Sequence, residues 1–114
     1  MKLDKFDIIV VPFPFTDQPI TKKRPAIVIS SKKFNQKIEH SVCAMITSSK
    51  NELWPNDLEI VNIKDCGLPA ASKIRMKFFT IDHKLILNKI GALKKSEQTH
   101  LDKQIAEVMS LNIK

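Results

Sequence analysis

Glycine is nearly missing from this chain. Its 114 residues include only Gly67 and Gly91. No glycine-rich loop can therefore wrap a phosphate, which excludes P-loop and dinucleotide-binding designs. Cysteine is as scarce. Cys43 and Cys66 form no CxxC pair, and two thiols are too few for a disulfide framework. Cys43 lies inside an apolar run, where a buried reduced thiol is the default. His40, His83 and His100 are scattered, with no cysteine or carboxylate at metal-ligand spacing, so neither metal nor other cofactor is expected. GxSxG elbows and Cys–His nucleophile signatures are also missing, and ordinary hydrolase templates do not fit. No apolar stretch approaches the ~18–20 residues that span a bilayer. No charged-then-apolar leader opens the chain, where Asp4 and Asp7 flank the first lysines. A soluble, cytoplasmic protein without membrane association is expected. There is no internal repeat or low-complexity linker, so residues 1–114 are expected to form one domain.

What is present is a core and a charge. Hydrophobic residues make up 43%, enough to bury a real interior. The formal net charge is +7, from 19 Lys and Arg against 12 Asp and Glu. Such a balance favours a polyanionic partner, either nucleic acid or an acidic protein. A lysine-rich solvated surface is the simpler explanation of the same number.

Periodicity predicts several short strands and one clear helix. Phe6 to Phe15 is β-branched and aromatic, and Pro12 and Pro14 place its end at a sheet edge or bulge. Thr16 to Lys23 reads as a polar loop and Pro25 to Ser30 as a second strand. Lys32 to Glu39 is a loop or short helical turn. Ser41 to Thr47 is a third strand, with Val42, Ala44 and Ile46 on one face and Cys43, Met45 and Thr47 on the other. Ser48 to Asp57 is a polar loop. Leu58 to Ile63 and Ser72 to Phe79 read as strands. Lys84 to Ile90 fits helix or strand, and Gly91 is expected to punctuate it. A tail helix capped by Ser96, with Glu97 in its first turn, presents Leu101, Ile105, Val108 and Met109 along one face. The fold class expected is mainly β with α (α+β): a small, strongly bent barrel or sheet with the C-terminal helix packed on it.

Two segments can carry chemistry. Lys22-Lys23-Arg24-Pro25 puts three cations at an expected loop-to-strand junction, and Pro25 steers Arg24 to an extended backbone. A planar guanidinium suits bidentate phosphate binding and can stabilise charge on a pentacoordinate phosphorus. Thr47 and Ser48 place adjacent hydroxyls at a strand end, able to donate to a phosphate or a ribose 2′-OH. Each segment alone is also compatible with a solvated basic loop or ordinary turn chemistry.

Together these segments carry a resemblance. VPFPFTD, RPAIVIS and ITS, followed by Trp54-Pro55, Gly67-Leu68-Pro69, Phe79-Thr80-Ile81-Asp82 and Ile90-Gly91-Ala92-Leu93, resemble the MazF/PemK toxins of toxin–antitoxin systems over nearly the whole chain. The resemblance implies an SH3-like, PemK-type twisted barrel acting as a homodimer. It implies a metal-independent endoribonuclease that cuts single-stranded RNA, leaving a 2′,3′-cyclic phosphate and a 5′-hydroxyl. It also implies a cognate antitoxin that blocks the RNA site, typically through an acidic segment. By the same match Arg24 and Thr47 fall on the family's catalytic positions, with Ser48 beside them. Asp17, Lys22, Lys23, Trp54, Arg75 and Lys77 are expected to bind RNA. Trp54 would stack on an unpaired base or else cover the barrel mouth. Arg75 and Lys77 would extend the phosphate track or else be solvated.

The sequence departs from the family's pattern twice. Several members carry an acidic residue, assigned general-base work, shortly after a strand arginine. The matching stretch here, Ser72 to Phe79, has no carboxylate and is one residue shorter between Arg75 and Thr80. Asp17 and His40 are the remaining base candidates. Phe6 stands where the family often has glycine, a change expected to alter packing or dimer contacts. The alternatives are a catalytically weak member that only binds RNA or antitoxin, and a gyrase poison of the related CcdB kind.

Overall fold

The computed structural model describes residues 1–13 and 22–112. Strands β1 (Asp7–Phe13), β2 (Lys22–Val28), β3 (His40–Ser48), β4 (Leu58–Glu59), β5 (Ser72–Asp82) and β6 (Asn88–Ala92) form one antiparallel sheet in the order β4-β5-β3-β2-β1-β6. Helix α1 (Lys32–Ile38) joins β2 to β3, a 3-10 turn (His83–Leu85) joins β5 to β6, and α2 (Lys95–Val108) closes the described chain. The mainly-β architecture with a C-terminal helix is the one expected from the sequence.

Strand alternation sorts the apolar residues onto two faces. Ile8, Ile27, Ala44, Ile46 and Ile74 point into the concave side, joined by Leu101 of α2. Ile9, Val11, Ala26, Val28, Cys43 and Ile81 pack on the other side, under Leu3 and Ile86. Burial pushes the Cys43 thiol up to about 12, so it stays protonated.

The sequence expectation for 58–63 fails after two residues. The Ile60 amide still bonds the Ser72 carbonyl at 3.0 Å, but the chain then leaves the sheet. Ile60, Cys66 and Leu68 are better buried as a plug for the concave core than as a longer edge strand. That plug reaches β6, and both glycines serve the contact. A Cβ on Gly67, whose φ is +74°, would lie 2.1 Å from the Ile90 carbonyl oxygen. A Cβ on Gly91 would lie 2.4 Å from that of Cys66. Gly91 therefore sits inside β6, where it lets the backbones approach, instead of ending the element.

Two other boundaries move. β2 begins at Lys22, because Lys22, Lys23 and Arg24 pair with Phe13, Pro12 and Val11. Pro12 is tolerated there: β6 pairs β1 only through Val10, with a register shift between Ile8 and Ile9. Helix α2 starts two residues earlier than expected, with Lys94 at the N-cap and Ser96 inside. Glu97 anchors this end instead, accepting from the Val61 and Asn62 amides at 2.8 and 3.3 Å. Leu101 is buried and Ile105 packs on the core, whereas Val108 and Met109 are exposed.

Phe6 adopts φ +78°, a conformation that glycine takes freely and a bulky residue resists. Its amide and carbonyl are held by the Val28 carbonyl at 2.7 Å and the Leu93 amide at 2.9 Å. The ring packs against the concave core.

Candidate functional site: a cleft where two strands part

The β2–β3 ladder ends at Ala26 opposite Met45. A one-to-one continuation of that register sets Arg24 opposite Thr47, but the strands no longer bond there. Two clefts open at the parting, and Arg24, Ile46 and Thr47 line both. The larger holds about 300 Å³, with Lys23, Ser48 and an apolar wall from Leu68 to Ala71. The smaller holds about 140 Å³, with Phe13, Arg75 and Lys77 at its sides.

Lys22, Lys23 and Arg24 are exposed. Arg24 is held in place by its backbone, through pairing with Val11, and no hydrogen bond or ion pair among the described residues engages its guanidinium. Strand geometry thus aims an unspent cation at the cleft. Thr47 is half-buried, and its Oγ1 accepts a hydrogen bond from Asn51 Nδ2 at 2.5 Å. The Ser48 hydroxyl accepts from the Lys50 amide at 3.2 Å. Lys22 lies beside the clefts without lining either. Lys77 is exposed, with its ammonium 5.9 Å from the Phe13 ring centre.

Arg75, expected to extend a phosphate track or to be solvated, is engaged within the fold. Its Nε and a terminal nitrogen donate to the two Asp57 oxygens at 3.3 and 3.0 Å, and it also donates to the Glu52 carbonyl. Its guanidinium lies 4.6 Å from the Trp54 ring centre. Trp54 is therefore partly exposed but has one face covered. Its backbone amide donates to Asp57 at 2.9 Å. Lys73 completes the cluster: its ammonium lies 3.4 Å from Asp57, with side chains 5% and 1% exposed. Burial pushes the Asp57 carboxyl up. The hydrogen bonds from Arg75, the Trp54 amide and Lys73 outweigh that and hold it below the ordinary carboxylate value.

Asp57 thus restores a carboxylate beside Arg75, from a loop and not from β5. It lines neither cleft at Arg24, and its lone pairs are engaged, so it is a counter-ion and a poor proton acceptor. His40 is also removed as a base. It opens β3 opposite Asp82, seven residues from Thr47, which is about 23 Å of extended strand. Asp17 lies outside the described residues. Among the described residues no group of three or more potential ligands could hold a metal ion, and no helix is long and apolar enough to cross a membrane. Sequence reading passed over Asn51 and Asp57. A single acid inside a basic chain's Trp54-Pro55-Asn56-Asp57 turn was the available signal for the second.

A family model described as the PemK-like, MazF-like toxin of type II toxin–antitoxin systems matches residues 4–109. The chain belongs to that toxin family. No curated protein sequence matches it significantly. Among solved structures, the PemK-like chain is similar to a Mycobacterium tuberculosis toxin, MazF-mt6, with a TM-score of 0.74 at 18% identity, covering 94% of this chain and 99% of that one. It is similar to an endoribonuclease of a mycobacterial species solved with its cognate antitoxin, with a TM-score of 0.78 at 10% identity and coverage of 99% and 98%. A MazE–MazF structure from Deinococcus radiodurans gives 0.75 at 11% identity, covering 98% and 99%. At these identities the likeness establishes the MazF fold, and the chemistry of this PemK-like toxin must be argued from its own residues.

Proposed function

We propose that this toxin is a metal-independent endoribonuclease that cleaves single-stranded RNA at the cleft between Arg24 and Thr47. The observation that carries this reading is an exposed guanidinium, uncommitted among the described residues, that lines the same two clefts as Thr47 where the strands part. In the reaction the ribose 2′-oxygen attacks the adjacent phosphorus and loses its proton. The bond to the 5′-oxygen breaks, and that oxygen gains a proton. The products are a 2′,3′-cyclic phosphate and a 5′-hydroxyl.

Arg24 stabilises the negative charge that builds on the phosphorane. It is not the base, because its pKa lies above ~12. Thr47 and Ser48 bind the scissile phosphate and fix an in-line approach. Lys23 on the cleft wall, with Lys22 and Lys77 at its margins, guides the backbone of the strand, and the exposed face of Trp54 offers a base a stacking surface. The cleft residues that are described supply charge stabilisation and positioning.

The antitoxin-bound structures on this fold, together with the +7 charge, support a cognate antitoxin with an acidic segment as partner. A homodimer acting on mRNA in the cytoplasm completes the reading. Incubation of purified protein with long single-stranded RNA in EDTA, followed by mapping of the new ends, tests it. Cleavage with 5′-hydroxyl ends is expected. Intact RNA at every enzyme excess sinks the nuclease reading, and a supercoiling assay then tests gyrase poisoning.

A further inference from the structure

The loop between β3 and β4 is polar and exposed, yet it is tied down from beneath. Lys73 Nζ donates to the Asn51 carbonyl at 2.6 Å and to the Glu52 carbonyl at 3.1 Å. Arg75 donates to the same Glu52 carbonyl. Asp57 neutralises both cations from the far end of the loop. The Asn51 amide closes the turn onto the Ser48 carbonyl at 3.0 Å. The backbone at Asn51 is therefore fixed on both sides, by a buried ammonium and by a turn. Among the described residues its exposed side chain has one hydrogen-bond partner, the Thr47 hydroxyl.

We infer that Asn51 is a positioning residue that sets the direction in which Thr47 donates its proton. This rests on the nuclease reading above. A hydroxyl has one proton and two acceptor sites. An amide N–H on Thr47 Oγ1 fills an acceptor site, so the hydroxyl proton cannot point at residue 51. It is left for another acceptor, and a phosphate oxygen bound in the clefts that Thr47 lines would be one. Lys73 acts one step further back, by holding the Asn51 carbonyl.

The experiment compares Asn51→Ala with Asn51→Asp in cleavage kinetics on a single-stranded RNA. Asn51→Ala frees the hydroxyl rotor, and kcat should fall about tenfold with KM and Tm nearly unchanged. Asn51→Asp can only accept from Thr47, which draws the proton away from the phosphate, and its kcat should fall below that of the alanine variant. An aspartate variant as active as wild type or better than alanine overturns the inference, as does an alanine effect confined to Tm or KM. A second readout does not depend on RNA cutting. The Asn51 side-chain amide protons, followed by nitrogen-resolved NMR, should shift upfield on Thr47→Val. Amide signals that do not respond overturn the inference even if the toxin proves active. A wild-type protein that never cuts RNA but shows the shift leaves the pairing intact and sinks the nuclease reading alone.

Discussion

The chain has two arginines, and both reach the smaller cleft. Arg24 stands on a parting strand, and among the described residues its guanidinium is unspent. Arg75 lies within a buried cluster, with Asp57 on its edge, Trp54 against its face and the Glu52 carbonyl on the same terminal nitrogen that meets Asp57. In sequence both are cations next to β-branched or apolar residues. Among the described residues, one has a carboxylate folded onto it and the other does not. A charge already neutralised and desolvated contributes to architecture. A charge held by backbone alone remains available to a ligand.

The sharpest test of that division is Asp57→Ala. It leaves Lys73 and Arg75 buried without a counter-charge, and breaking such a cluster by removing one partner costs ~3–5 kcal/mol. Urea or thermal unfolding should show the loss. A change below ~1 kcal/mol would mean that the cluster is solvated and that Arg75 is as free as Arg24.

Arg24→Ala should behave in the opposite way. Its side chain is exposed, so stability should stay within ~0.5 kcal/mol. Cleavage should drop by about 10²–10³-fold, the range for losing one preorganised donor to a developing oxyanion. Unimpaired cutting by this variant would remove Arg24 from the site.

Much of this division was hidden from the sequence for a physical reason. Strands were legible because alternation reports burial locally, as in Val42 to Thr47. The proximity of Arg24 and Thr47 came from family motifs, and strand register then gave it geometry. Partners brought together by folding leave little local trace. Asp57 meets Arg75 across 18 positions. Ile60 leaves its strand because a core distant in sequence needs filling. Ser96 lost its capping place to Lys94 because Glu97 found partners at Val61 and Asn62. The left-handed backbone at Phe6 could be suspected only from the glycine that relatives carry there.

Acid separates the regions by titration. The folded Asp57 carboxyl titrates below its ordinary 3.8. Its contribution to stability is full above that value and is lost as pH falls toward the folded one. His83 adds a step at higher pH. Burial, then the charged N-terminus and His40, hold its pKa below 6.5, so stability is full above 6.5 and declines as pH drops beneath it. Unfolding free energy measured against pH should therefore fall in two windows. Asp57→Asn should flatten the lower and His83→Gln the upper, while Arg24→Ala should change neither. A lower window that survives Asp57→Asn would assign it to other carboxylates.

The smallest effect contrasts two lysines four positions apart on β5. Lys73 is buried against Asp57 and two carbonyls, and Lys77 is exposed beside Phe13. If availability decides which cations meet RNA, Lys77→Ala should cost under ~1 kcal/mol of stability, because an exposed cation–π contact is worth only ~0.5–1. It should lower the slope of log affinity against log salt by about 0.7, the share of one phosphate contact on a single strand. Lys73→Ala should leave that slope alone in whatever fraction remains folded, and lower the unfolding midpoint instead. An unchanged slope for Lys77→Ala would confine the RNA track to the β2 side of the cleft, with Lys23 and Arg24 as its cations.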